Sequence, residues 1–530
     1  MNYIKLLQEG INKFLTPAAQ ERASTSFARL ITGASPTPRT PLFKGQTEEQ
    51  VFSAWNEILD NWKASDISLV DLILYDQSKM KKVGPQGGLR PFKERESDFE
   101  AYYSTPTDRP ESEINSVAIE ECKRIAFGGM KNKRPQSYQN VVNQDKYDNK
   151  LITNSGCTEF SKRNIQEVID IAIQQANSGE WKELPMILFS RSQRLAERFV
   201  FGAAFALNLV EKSFIYPMMD QIRKTGHPFF SAWEGFEQVE IGLREQNFFN
   251  EGHTYIQQDF TKMDKHVNAL QMKIVELITL DFWQVPFQSE YAFVLSHVLN
   301  IGVLINLDTL VTGTHGMPSG SGLTNFAESL INLYIMIMYS LNGIEVVAVQ
   351  GLGDDGIISI KRNGLSDEEI LNVMQRITFQ VGQEINPLKQ GISEHTTVYL
   401  QRFFDDRLPR VDGKVLGMYP SILALNTAMN PERYHDASKW SKEMEILRWI
   451  MVLENCKNLP YFHDLIQFFM KGDKYRLGLD LPDFFILLPI LYKESQDIKG
   501  FIPTYNQESI NRGIYDFETV KYLMDQARKA

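Results

Sequence analysis

The spacing of apolar residues changes texture several times along the chain. Residues 1 to about 60 mix short stretches of helical spacing with a loop, GASPTPRTP, whose prolines exclude regular structure. Residues 75–165 are polar, basic and rich in Gly, Pro and Asn, and predict long exposed loops between short elements. From Asn164 the pattern tightens: IQEVIDIAIQQA repeats apolar residues at helical spacing, and RLAERFVFGAAFALNLVEKSF follows with a dense apolar content. Between about 250 and 405 strand and helix patterns alternate. Beyond 430, WSKEMEILRWIMVLENC and the segments down to YDFETVKYLMDQARKA predict mostly helix. No internal repeat and no low-complexity tract is present.

Three blocks in the alternating region carry candidate chemistry. In TYIQQDFTKMDKHVNALQMKIVELI, Thr254 to Gln258 predicts a short strand, and Val267, Leu270, Ile274 and Leu277 mark a helix. Asp259 then falls where the strand ends, and Asp264 lies early in the helix or its first turn. Carboxylates so placed can hold a hard cation; they can equally be a turn aspartate and a helix cap. In IEVVAVQGLGDDGIISIKR, two β-branched runs flank a glycine-rich centre and predict a hairpin. Its tip carries Asp354 and Asp355 side by side, and such a pair repels itself unless a cation or a proton intervenes. Between the two lies THGMPSGSGLTNFAESLINLYIMIMYSL. Gly313, Gly316, Gly320 and Gly322 with Pro318 predict a loop, and Phe326, Leu330, Tyr334, Ile337 and Leu341 mark one face of the helix it feeds. Ser319 and Thr324 lie near that helix N-terminus, where backbone amides favour phosphate or ribose hydroxyls, or simply cap the helix.

The 530-residue chain, of 61.0 kDa, is long enough for about three lobes. Its 43% hydrophobic and 23% charged residues are those of an ordinary globular protein. Three scattered cysteines exclude a disulfide framework and a cysteine zinc cluster, and fit a reducing compartment. The first residues lack the pattern of a signal peptide, and the most apolar stretch, Phe484–Leu491, is interrupted by Pro489 and too short to cross a bilayer; a soluble, intracellular protein is expected. The formal net charge of −10 argues against a protein that coats nucleic acid, but not against a local basic channel. Lys123–Arg163 holds nine basic against three acidic residues, and Lys79–Arg95 is a second basic stretch. There is no GxxxxGK[ST] loop and no HExxH, which lowers the odds of a helicase-type ATPase or a metalloprotease.

Order and spacing change the weight of the three blocks. Asp259, Ser319 and Asp354 follow one another at intervals of 60 and 35 residues. The blocks resemble motifs A (D-x4-D), B (SG-x3-T) and C (GDD) of viral RNA-dependent RNA polymerases. MPSGSGLTN and the chain length are similar to those of small double-stranded-RNA viruses, picobirnaviruses first and partitiviruses second. Weaker matches flank the trio. SRSQRLAERFVFG resembles basic motif F, which implies triphosphate contacts by Arg198 and, less directly, Arg191 and Arg194. INPLKQG resembles motif D and implies that Lys389 stands near the leaving pyrophosphate, and TTVYLQRFF resembles motif E, a strand from palm to thumb. Many such polymerases carry Asn four residues after the Thr of motif B; here that position is Glu328, and Asn325 directly follows Thr324. Either could join Asp264 in reading the ribose.

The resemblance implies an α+β right hand: N-terminal region and fingers at 1–240, palm with an antiparallel sheet at 241–404, and a helical thumb with C-terminal tail at 405–530, closed by fingertip loops. Part of the fingers would be inserted near 280–312. It also implies RNA-directed RNA synthesis from ribonucleoside triphosphates with two Mg²⁺ ions, or Mn²⁺ in their place. Asp259 and Asp354 would be the main ligands, with Asp355 supporting. Ser319 and Gly320 would let the loop shift with template and nucleotide. Template and product RNA, the triphosphates and a viral capsid protein are the implied partners, with no membrane, and the virion interior or host cytoplasm is the implied location. A reverse transcriptase shares the palm, but Gly353 before Asp354, and Asp264 in place of a bulky gate, count against it. A metal-dependent nuclease and a non-catalytic RNA-binding protein are the remaining readings.

Overall fold

A computed structural model describes residues 1–433, 440–496, 498 and 513–529. Among the described residues the strands are β1 (Asn2–Lys5), β2 (Met186–Gln193), β3 (Ala196–Gly202), β4 (Thr254–Asp259), β5 (Val303–Asn306), β6 (Thr309–Thr312), β7 (Glu345–Leu352), β8 (Asp355–Lys361), β9 (Gly391–Ser393), β10 (Thr396–Tyr399) and β11 (Arg402–Asp405). β7, β8, β4 and β9 pair antiparallel in that order. A five-stranded sheet runs β1-β6-β5-β2-β3, and β10 and β11 form a hairpin of their own. The mixed sheets and the helices around them make the right-hand α+β fold expected from the sequence.

The four-stranded sheet is buried on both faces, which is why its central strand β8 is a nearly continuous apolar run, DGIISIK. Side chains alternate faces along a strand. Tyr255 and Ile357 accordingly meet Phe248, Phe249 and Phe404 on one side. Ile256, Ile358 and Ile360 join the core that includes the Thr324–Leu341 helix on the other. That helix is buried nearly all round rather than along one stripe, being packed between the sheet and the Ser116–Phe127, Ala269–Thr279 and Asp367–Gln380 helices. Leu341, expected on its apolar face, is instead exposed at its end.

Two further expectations are corrected. Residues 75–165 are not mainly loops: they hold helices Phe92–Ser104, Ser116–Phe127 and Tyr138–Tyr147. Each buries a narrow stripe, such as Phe92, Phe99 and Tyr102, and the charged residues between hide that period in the sequence. The arginine-rich SRSQRLAERFVFG forms the β2–β3 hairpin, turning at Arg194 and Leu195 with φ of 52° and 63°. TTVYLQRFF is two strands, not one, reversing at Leu400 and Gln401.

The chain's beginning shares a core with its end. Leu42, Trp55, Leu59 and Ile73 pack with Ile422, Leu425, Trp449 and Leu465. At its centre Asp76, fully buried, accepts hydrogen bonds from the amides of Ser421 (3.0 Å) and Ile422 (3.0 Å), the Ser421 hydroxyl (2.5 Å) and the Tyr461 hydroxyl (2.9 Å). Trp55 Nε1 in turn donates to the Ser421 oxygen at 2.8 Å. The Ser421–Met429 helix has no cap from its own N-cap residue, Pro420; Asp76 supplies one from 345 residues away. The β2–β3 hairpin reaches the same region. Arg194 N–H donates to Gln86 Oε1 at 3.1 Å, Gln86 Nε2 donates to Asn430 O at 2.5 Å, and Gly84 N–H donates to Asn426 Oδ1 at 3.1 Å. Among the described residues no helix is long and apolar enough to cross a membrane.

Asp76→Ala leaves four donors without their acceptor in a dry site, and an expected loss of about 3 kcal/mol follows. The guanidinium unfolding midpoint measures it; a midpoint equal to wild type would show that the cap contributes nothing.

Candidate active site

Asp259 ends β4 and Asp355 begins β8, and the two are direct partners in the antiparallel register. Residues so paired point to the same face with their Cβ atoms about 5 Å apart. Asp354 stands in the two-residue turn between β7 and β8, beside Gly353, whose φ of 58° favours glycine. Three carboxylates are thus brought to one sheet end by strand pairing alone.

The arrangement is electrostatically costly. Burial above all, with the charges of Asp354 and Asp259 adding to it, pushes the Asp355 carboxyl up to about 7, although the Leu400 N–H bond at 2.8 Å opposes this. Burial also raises Asp354, with Asp264 and Asp259 adding and Arg198 opposing. Asp259 is raised by burial, against the opposing charges of Lys389 and Lys82. Among the described residues no three carboxylate, imidazole or thiol groups are already drawn together as a cation cage. The cluster is an open set of hard oxygen donors, which suits Mg²⁺, since that ion keeps several waters and substrate phosphates in its shell.

Buried amides hold these strand ends in place. Asn332, inside the Thr324–Leu341 helix, donates to the carbonyls of Gly353 (3.0 Å) and Asp355 (3.2 Å) and accepts from Gln258 Nε2 (2.7 Å). Tyr339 completes the chain by donating to Gln258 Oε1 at 2.6 Å, and the Gly353 N–H reaches Ser329 Oγ at 2.8 Å. From the other side Gln390 grips the Asp259 backbone, accepting from its N–H at 3.1 Å and donating to its carbonyl at 2.8 Å. Gln390 follows Lys389 directly, so the exposed Lys389 segment is tied to Asp259. The sequence reading missed all of these. Gln258, Asn332 and Tyr339 do leave a signal, as polar groups inside otherwise apolar elements.

The glycine loop lies against β3. A Cβ on Gly320 would sit 1.7 Å from the Phe201 carbonyl oxygen, so only glycine fits. Ser319 Oγ accepts from the Phe201 N–H at 3.3 Å, and Thr324 donates to the carbonyls of Pro318 (2.9 Å) and Ser321 (3.1 Å). Buried Glu211 holds the loop from below, accepting from Ser321 Oγ (2.5 Å) and the Gly322 N–H (2.7 Å).

The remaining sequence-derived candidates separate. Arg198 is exposed on β3 and within electrostatic reach of Asp354. Arg191, its register partner, forms a bidentate pair with Glu432 at 2.5 and 2.9 Å. Arg194 bonds Gln401 and, at 2.8 Å, the Tyr419 hydroxyl. Lys82, not anticipated, joins this basic group: burial, Arg194, Lys81 and Arg198 lower its pKa, and Asp259 opposes them. Asp264 accepts from Tyr102, and neither Asn325 nor Glu328 is its partner. Asn325 Oδ1 accepts from Trp233 Nε1 at 3.0 Å. Glu328 is buried with Oε1 lacking a partner, and burial, reinforced by Asp354 and Asp264, holds its carboxyl well above the usual range.

Because the Asp355 pKa is raised on folding, its contribution to the stability of the cation-free protein is fullest below about pH 4 and is lost as pH rises to about 7. Asp355→Asn keeps an oxygen for the Leu400 N–H and removes the charge. It is expected to stabilise the cation-free protein at pH 8 by about 1–3 kcal/mol and to flatten its pH dependence. Melting curves from pH 4 to 8 test this; an unchanged slope would contradict a raised Asp355 carboxyl.

A family model described as viral RNA-dependent RNA polymerase matches residues 196–415, the span that holds the acidic cluster, the glycine loop and β3. A potential RNA-dependent RNA polymerase of a human picobirnavirus is 28% identical over 488 residues, covering 86% of each chain. Crystal structures of the RNA-dependent RNA polymerase of a human picobirnavirus, and of its insertion-loop deletion mutant, superpose with a TM-score of 0.81 at 24% identity, covering 98% of this chain and 100% of theirs. Those structures establish the fold, and the family match and the relative support the activity: the chain is an RNA-directed RNA polymerase, similar to those of picobirnaviruses.

Proposed function

We propose that the enzyme extends an RNA 3′ end on an RNA template with two divalent cations, Mg²⁺ or in its place Mn²⁺, held by Asp259 and Asp354 with Asp355 in support. In doing so it would replicate and transcribe a double-stranded RNA genome. The observation that carries this reading is the register that sets Asp259 directly opposite Asp355, with Asp354 in the adjoining turn. Bound there, the cations would make the RNA 3′-hydroxyl a better nucleophile and neutralise charge on the triphosphate. Their charge would also offset the burial that raises all three carboxyls, and the like charge that adds to it at Asp354 and Asp355.

The protein's own groups then bind and orient. Arg198 acts on Asp354 and Lys389 on Asp259, and they suit the triphosphate and the leaving pyrophosphate. Asp264, through its carboxylate, is the group that accepts a hydrogen bond from the ribose 2′-hydroxyl. Of its two candidate helpers, Glu328 is the better placed: its unpartnered oxygen is buried beside Asp264 and Asp354, whereas Asn325 is engaged by Trp233. Ser319 and Gly320 sit where the loop meets β3 and would shift with the template. Arg191 and Arg194 serve the fingers–thumb closure in this state. The RNA substrates, a viral capsid protein as partner, and work within the virion or the host cytoplasm complete the reading.

Labelled-nucleotide incorporation on single-stranded RNA with Mg²⁺ tests it. Asp354→Ala should lower incorporation by at least about 10³-fold, as loss of a transition-state-stabilising group does, while circular dichroism and melting stay near wild type. Retained activity would remove the metal assignment. Shortening of the RNA instead of extension would favour a nuclease.

A further inference from the structure

Tyr102 lies on the Phe92–Ser104 helix, outside every motif recognised in the sequence, yet it makes the one side-chain hydrogen bond to Asp264 among the described residues. We infer that Tyr102 is a positioning residue for sugar selection: its hydroxyl fixes the Asp264 carboxylate in the orientation that meets the 2′-hydroxyl of an incoming ribonucleotide. The inference rests on the reading of Asp264 as the group that senses the sugar.

The geometry assigns each donor. The Tyr102 hydroxyl donates to Asp264 Oδ2 at 2.7 Å, and the Lys265 N–H donates to Oδ1 at 2.9 Å. Each carboxylate oxygen has a second lone pair, so two acceptor positions remain once the rotamer is set. Burial and the Asp264 charge hold the phenol far above its usual range, so it keeps the proton that it donates to the carboxylate. Short bonds from a hydroxyl to a charged carboxylate are among the stronger hydrogen bonds in proteins.

Tyr102 is itself held on several sides. Its ring lies edge-on to Phe201 at 4.8 Å between centroids, and the Lys265 ammonium sits 4.7 Å from the ring centre. That ammonium is kept in place by the Asp98 carbonyl at 2.9 Å and by the Asp98 carboxylate. The backbones repeat the pairing: the Tyr102 carbonyl accepts from the Gly316 N–H, and the Asp264 carbonyl from the Met317 N–H, both at 2.7 Å. The start of the glycine loop therefore hangs on the same two residues. Phe201, which packs on Tyr102, also supplies the carbonyl against which Gly320 is pressed. One fingers helix thus fixes the sugar-sensing carboxylate and the loop that moves past it. Nothing in the spacing around Tyr102 announces this, because the contact spans 162 residues.

A pocket that recognises a hydroxyl by a hydrogen bond rejects the analogue that lacks it. Loosening Asp264 should therefore harm the ribonucleotide selectively. Single-nucleotide kcat/KM is to be measured with the full chain on one primed RNA template, for a ribonucleoside and the matching 2′-deoxyribonucleoside triphosphate, with wild type, Tyr102→Phe, Asp264→Ala and the double variant. Phe keeps the ring packing, and the deoxynucleotide arm serves as the internal control for folding. The expected result is a loss of about tenfold or more in the ribonucleotide value for Tyr102→Phe, the size of one charge-assisted hydrogen bond, with the deoxynucleotide value within about twofold of wild type. The double variant should discriminate no worse than Asp264→Ala. Equal losses for both sugars in Tyr102→Phe, with discrimination reduced in Asp264→Ala, would overturn the role of Tyr102 and leave the sugar sensor standing. Unchanged discrimination in Asp264→Ala would overturn both.

Discussion

The structure is organised around a repulsion. Strand register puts Asp259 opposite Asp355, and the hairpin turn adds Asp354, so three carboxylates share one partly buried sheet end. Left alone they would neutralise by taking up protons: burial raises all three carboxyls, and the neighbouring carboxylates add to the rise of Asp354 and Asp355. The surrounding fold resists rearrangement. Asn332 and Ser329 fix the Gly353–Asp355 turn from the helix side, and Gln390 fixes the Asp259 backbone from the strand side. A buried network of this kind is worth keeping only when every member is satisfied. Here most of its bonds end on the backbone of the residues that carry the charge.

The same logic extends outward as opposite charge. Arg198 on β3 acts on Asp354, and Lys389 and Lys82 act on Asp259. None of the three forms an ion pair among the described residues, which leaves positive charge around the acidic cluster for phosphate. Arg191 and Arg194 are spent differently, on Glu432 and on Gln401 and Tyr419, and so tie the β2–β3 hairpin to residues 401–432. Asp76 does the corresponding work deeper in, joining the N-terminal helices to Ser421 and Tyr461. A net charge of −10 is therefore compatible with an RNA enzyme, because the basic groups that matter are local.

Much of the site was legible in the sequence because its chemistry is local. A strand ending in Asp259 and a hairpin bearing Asp354 and Asp355 follow from period-two patterning and glycine placement, and the register then opposes them. The glycine at 320 reads as a loop residue, although the reason it must be glycine, the Phe201 carbonyl, is 119 residues away. Long-range partners left no local trace. Tyr102 with Asp264, Glu211 with the glycine loop, and Asp76 with Ser421 are each set by tertiary packing. The helices in 92–147 were hidden for a different reason: their buried stripes are too narrow to outweigh the polar residues between them.

The central claim is that the repulsion among Asp259, Asp354 and Asp355 exists to hold cations. Anomalous diffraction from crystals grown with Mn²⁺, RNA and a non-hydrolysable ribonucleoside triphosphate tests it most directly. The account predicts manganese peaks coordinated by Asp259 and Asp354, with Asp355 alongside. Crystals that hold the RNA and the nucleotide but show no metal peak at those carboxylates would contradict it.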